Sequence, residues 1–133
     1  MSEIRSQPCR ACPYRQDVPS GVWSAAEYDK LPPYDAITPE QPFETFACHA
    51  TPEHYCHGWA VVHTNRGREH DLIALRVFAP GISIPAASVP LFDSGQEACD
   101  HGKRDIEHPS DEAIEVANLL YTKYERLQDA NPE

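Results

Sequence analysis

Proline limits what this chain can fold into more than any other residue. It supplies 13 of the 133 residues, and all but Pro109 and Pro132 lie between Pro8 and Pro90. That is roughly twice the usual share of about 5%. Each proline fixes φ and removes a main-chain donor. Long helices and central strands are therefore excluded from most of the first two-thirds, where turns and extended segments are expected instead. A chain of this length is still one domain of ordinary size, 1–133, able to build a core.

Between the prolines a few elements can be read. Residues 1–21 are irregular, broken by Pro8, Pro13, Pro19 and Gly21. Ser24 and Glu27 have the spacing of a capping box, with Trp23 and Tyr28 placed for a hydrophobic staple. That helix must stop near Leu31, before Pro32 and Pro33. Phe43 to Cys48 partly alternates and suits a short strand that delivers Cys48. His57 to Asn65 reads as a helix ended by Gly67. Asp71 to Phe78 reads as another, with Leu72, Leu75 and Phe78 three apart and Pro80 and Gly81 beyond it. Residues 81–92 are apolar but proline-broken, so they are expected to wrap the core in extended form.

Toward the C-terminus, Asp93 or Ser94 can cap a short helix through Ala98 and Cys99, with Gly102 past its end. Ser110 caps the last helix, and Asp111 and Glu112 suit its positive end. There Ala113, Ala117, Leu120, Tyr124 and Leu127 form one apolar stripe, which reads as core packing. Glu115, Asn118, Lys123 and Arg126 take the opposite face.

The chemistry is concentrated in cysteine. Cys9-Arg-Ala-Cys12 is a C-x₂-C pair, and the turn between the two can bring both sulfurs to one ion. Cys48 and Cys56 supply two more thiols. Four thiolates suit tetrahedral zinc and equally an iron–sulfur cluster. The second pair is closed by the Pro52 turn and carries His49, His54 and His57. Of these, His49 is the first choice as a replacement ligand. The alternatives are a redox dithiol and inert buried thiols. A redox dithiol normally opens a long helix after a strand. Here no strand is expected before Cys9, and Pro19 soon interrupts. The expected site is therefore a metal held by Cys9, Cys12, Cys48 and Cys56, with His49, His57 and Trp59 beside it. Zinc is the expected metal and a [4Fe-4S] cluster the alternative. Tyr14, Phe46, Tyr55 and Trp59 would shield either from water. Cys99, in Ala98-Cys99-Asp100-His101 and near His108, reads as a small buried residue rather than a nucleophile. His63 and His70 read as surface or satisfied polar groups.

Charge narrows the partners. Eleven basic residues against 21 acidic give a net charge of −10, and such a chain repels phosphate backbones. Nucleic acid is not expected as a partner, and the clusters Arg5, Arg10, Arg15 and Arg66, Arg68, Arg76 read as solvated surface. No run approaches the ~18 apolar residues of a membrane span. Residues 1–12 lack the apolar stretch of a secretory signal, so a cytoplasmic location is expected. There thiols stay reduced.

The string CRACPYRQDVPSGVW from Cys9 to Trp23, then EYDKLPPYD, FACH and CHGW, resembles a family of small uncharacterised proteins of actinobacteria and their phages. In that family a CxxCP-aromatic-R start is followed by a CH dipeptide and a C-x-G-W. The likeness runs over about residues 8–102. It implies that the four cysteines share one site and that Cys99 stands outside it. It implies no activity.

The combined expectation is a mainly α-helical domain. Its irregular metal-binding region, 1–60, is tied by the ion to a helical body, 61–128. One short strand or hairpin lies near the site, and 129–133 form a disordered tail. Four thiolates leave no open position on zinc, whereas catalytic zinc keeps one. A structural zinc site in an accessory or interaction protein with a protein partner is expected rather than an enzyme. An iron–sulfur protein in redox sensing or electron transfer is the alternative.

Overall fold

The computed structural model describes residues 3–48, 50, 53–64 and 67–130, with side chains as far as residue 120. The chain is mainly helical. Its elements in order are β1 (Glu3–Ile4), α1 (Ala25–Tyr28), β2 (His54–Tyr55), α2 (His57–Thr64), α3 (Ile73–Phe78), α4 (Gly95–Arg104) and α5 (Asp111–Ala130). Short 3₁₀ turns occupy Pro32–Asp35, Thr38–Glu40 and Arg68–His70.

β1 and β2 pair in parallel, Glu3 beside His54 and Ile4 beside Tyr55. On the other side of β2, Ala47 bridges Tyr55 antiparallel. Two bonds flank that bridge, Cys48 N–H to the His54 carbonyl at 2.9 Å and Cys56 N–H to the Phe46 carbonyl at 2.8 Å. The strand expected over Phe43–Cys48 is thus reduced to a single bridge, although its role of carrying Cys48 is fulfilled. The parallel partner at Glu3–Ile4 was not expected, because two residues carry no readable period.

α2 is the hub. His57, Gly58, Trp59, Ala60, Val62 and His63 are all buried on it, and a helix apolar nearly all round belongs inside. Tyr14, Tyr34, Phe46 and Tyr55 close around it, with Tyr34 and Trp59 edge-to-face at 5.5 Å. α4 packs on α1 and the 32–35 turn. α5 covers a second cluster of Ala11, Val18 and Val22 with Ala113 and Val116. The buried stripe of α5 therefore includes Val116, which the 4-3-4-3 spacing skipped.

Four helix-end expectations need correction. α1 ends at Tyr28, and the Ser24 side chain makes no capping bond. Glu27 pairs with Lys30 at 3.0 Å instead of reaching back, so no capping box forms. α4 runs through Gly102 to Arg104, and 102 is glycine for packing rather than as a stop, because the Tyr28 ring lies where a Cβ would stand. Gly102 also gives its carbonyl to Gly21 N–H and the Ser20 hydroxyl. α5 continues to Ala130, so the expected tail at 129–133 is helical at its first two residues, and 131–133 lie outside the described residues. The caps at Ser94 and Ser110 form as expected, to Glu97 N–H and Ala113 N–H, each at 3.1 Å. Residues 82–90 have no regular structure, in keeping with an extended wrap.

Candidate metal centre

Local chain geometry brings the cysteines together. Cys12 N–H bonds to the Cys9 carbonyl at 3.0 Å, closing the turn of the C-x₂-C pair. Cys48 and Cys56 sit on either side of the Ala47–Tyr55 bridge. Cys56 then opens α2, its carbonyl accepting from Ala60 N–H at 3.2 Å. All four thiols are buried and free of disulfide bonds.

Cys12 Sγ and Cys56 Sγ are in contact, 3.9 Å apart, and the neighbour that acts most strongly on Cys9 is Cys48. The pairs feel one another's charge: Cys9 with Cys12, Cys12 with Cys48, and Cys56 with Cys9. Among the described residues, no three or more His, Cys, Asp and Glu side chains converge closely enough to hold an ion as they stand. His49 lies outside the described residues.

Several main-chain N–H groups aim at the sulfurs. Ala11 donates to Cys9, Tyr14 and Gly58 to Cys12, and Trp59 to Cys56. Gly58 and Trp59 lie in the first turn of α2, where unpaired N–H groups and the helix dipole favour negative charge. The hydrogen bond from Cys56 and these N–H donors hold Cys12 below the ordinary thiol range, against burial. Cys56 goes the other way, because it gives its proton to that bond and is buried. Cys9 is likewise raised, first by its bond to Cys48 and then by burial. Within the Cys12–Cys56 pair, negative charge is therefore favoured at Cys12 over Cys56.

Gly58 explains part of the C-x-G-W string. A Cβ there would stand 2.7 Å from Tyr14 Cβ and 2.8 Å from Cys12 Sγ. Only glycine lets the α2 backbone approach this sulfur closely enough to donate to it.

Three neighbours complete the surroundings. His57 is buried, and its Nε2 lies 2.8 Å from the Pro85 carbonyl. A carbonyl can only accept, so Nε2 carries the proton. Burial lowers the His57 pKa and keeps the ring neutral. Its Nδ1 has no hydrogen-bond partner among the described residues. Trp59 is fully buried, and its indole Nε1 is likewise without one.

The third neighbour is Tyr14, buried beside Cys12 and Cys56, with its pKa raised well above 10 mainly by burial. Its hydroxyl lies 2.9 Å from His63 Nε2. His63 Nδ1 is 3.3 Å from Asp35 Oδ1. Asp35 in turn accepts from Gly95 and Gln96 N–H at the start of α4, at 2.7 and 2.8 Å. A polar line thus runs from the thiols to α4 through Tyr14, His63 and Asp35. The sequence reading missed this line, since His63 was left open between surface and satisfied polar group. It is the second of these, with no exposed surface.

Cys99 is buried on α4 and donates weakly to Asp29 at 3.8 Å, while His101 is engaged with the Val18 carbonyl. The side chains that act on Cys99 are Asp29, Asp100 and Lys103. No helix among the described residues is long and apolar enough to cross a membrane.

Comparison with known proteins places the chain by descent but not by activity. No curated protein and no solved structure matches it. A family model matches residues 4–131, almost the whole chain, and by that match the protein belongs to the family of unknown function DUF6283.

Proposed function

We propose that the protein binds one zinc ion through Cys9, Cys12, Cys48 and Cys56, and that the ion is structural, ordering an accessory or interaction protein. The observation that carries this reading is the Cys12–Cys56 separation of 3.9 Å. With zinc–sulfur bonds of about 2.3 Å, tetrahedral geometry sets neighbouring sulfurs about 3.8 Å apart. One pair already has that edge length, and in the metal-bound form Cys9 and Cys48 would close onto it to complete the set.

The donors support the same reading. Metal-bound cysteine must be thiolate, and N–H groups from Ala11, Tyr14, Gly58 and Trp59 already point at sulfur. A single dication among four thiolates would offset half of the charge that burial disfavours. In a cubane each cysteine binds a different iron, which sets the sulfurs wider than the observed pair. His57, whose Nε2–H is anchored on the Pro85 carbonyl and whose Nδ1 is left as an acceptor, has the tautomer of an alternative ligand.

The function follows from what an ion supplies here. The described residues of 3–56 form two short strands, one short helix and two 3₁₀ turns, in a segment with many prolines. Metal binding can contribute on the order of 10 kcal/mol to folding in small sites, enough to order such a segment. Elemental analysis of protein purified without oxygen tests the proposal. One zinc per chain is expected. Iron with acid-labile sulfide would replace zinc by a cluster and point to redox sensing or electron transfer. Neither metal, in a folded protein, would overturn both readings.

A further inference from the structure

A cleft of about 570 Å³ lies between the α1 and 32–35 region and the segment leading to Cys48. Five consecutive residues, 44–48, line it. Side chains of a strand alternate between faces, so a cleft over one face would touch every second residue. Contact with all five is the pattern that a cleft along the backbone edge produces.

Hydrogen bonding agrees. Phe46 and Cys48 turn their main-chain groups toward β2. Thr45 and Ala47 must then turn theirs outward, and among the described residues nothing pairs with them. Both residues are partly exposed. An open edge of this kind is a template for another strand. Tyr34 and Phe46 form an aromatic floor, and the Tyr34 hydroxyl braces the segment through the Glu44 carbonyl at 3.0 Å.

The charge of the cleft selects the occupant. Lys30 is already paired with Glu27 at 3.0 Å. Glu44 is exposed and has no ion-pair partner among the described residues. The cleft is thus left acidic, on a chain of net charge −10. We infer that this cleft binds an extended, lysine- or arginine-bearing segment of a partner protein by adding it as a strand to the Thr45–Ala47 edge. The backbone bonds would give affinity, and side chains on one face of the added segment would meet Tyr34, Phe46 and Glu44. This inference stands without the metal.

The test uses ¹⁵N-labelled full-length protein and a capped Val-Lys-Val-Lys-Val peptide as probe. Saturable shifts of the Thr45 and Ala47 amides are expected. Two analogues, N-methylated at alternate residues in opposite registers, cannot both keep their edge bonds. At least one should bind about tenfold or more weakly, as the loss of one or two hydrogen bonds implies. A Val-Glu-Val-Glu-Val peptide should also bind more weakly. Ala47→Pro removes an edge donor that proline tolerates elsewhere on edges, and should weaken the parent peptide similarly. The inference is overturned if no saturable shift appears at millimolar peptide. It is equally overturned if both methylated analogues, or the Ala47→Pro protein, bind as tightly as the parent pair.

Discussion

Gly58→Ala sets two opposing effects against each other at the thiol cluster. Alanine is the better helix former, by up to about 1 kcal/mol in a helix interior. Its methyl, however, would stand 2.7 Å from Tyr14 Cβ and 2.8 Å from Cys12 Sγ. Neither atom can swing away, since one is anchored to the backbone and the other is held among buried thiols. Overpacking of this kind costs about 1–3 kcal/mol, and such closeness calls for the upper part of that range. The net effect should be a loss of about 1–2 kcal/mol, a fall in melting temperature of about 3–8 °C for a chain this long. The strain falls on Cys12, so zinc affinity should drop as well. Thermal unfolding with and without added zinc, followed by circular dichroism, reads both effects. In a Cys12→Ser background the smaller oxygen relieves the contact, and Gly58→Ala should then cost less. A Gly58→Ala protein that melts at or above the wild-type temperature with full zinc content would refute the close approach of α2 to the sulfur.

Other expectations follow from the same geometry. Cys12→Ala should destabilise residues 3–56 as a unit by several kcal/mol, seen as faster hydrogen exchange across that region; full metal content and an unchanged melting temperature would contradict the role given to Cys12. Tyr14→Phe removes the partner of a buried His63 nitrogen and should cost about 1–3 kcal/mol in denaturant unfolding, with zinc still bound. Asp35→Ala strips two N–H acceptors from the start of α4 and should cost about 1–2 kcal/mol, most visibly as fraying of residues 95–98 in exchange experiments. On acidification protons compete with zinc for thiolate, so release, followed with a chromophoric chelator, should take up more than one proton per ion. A one-proton release curve would argue against a thiolate cage.

Parts of this structure were legible because local chemistry dictates them. Ser94 and Ser110 cap where expected, since an N-cap depends only on the next few residues. The C-x₂-C turn and the approach of Cys56 to Cys12 were readable because cysteine types and spacing survive without long-range knowledge. The capping box at Ser24 failed for a physical reason. Glu27 has a nearer partner in Lys30, and Pro32 leaves the helix too short to reward the reciprocal bond. Gly102 was misread as a stop because its meaning lies in the Tyr28 ring, distant in sequence. The β1–β2 pairing and the line from Tyr14 through His63 to Asp35 carried no period or motif. Each joins residues of different segments, and neither His63 nor Asp35 differs in sequence from an ordinary surface residue. The Thr45–Ala47 edge was hidden likewise, since an unpaired strand edge is defined by what does not arrive beside it.

Zinc K-edge X-ray absorption on protein purified without oxygen tests the central claim most directly, because it reports the atoms bonded to the ion. The account predicts a first shell of four sulfurs at about 2.3 Å, falling to three in Cys48→Ser. A shell dominated by nitrogen or oxygen at about 2.0–2.1 Å would contradict it.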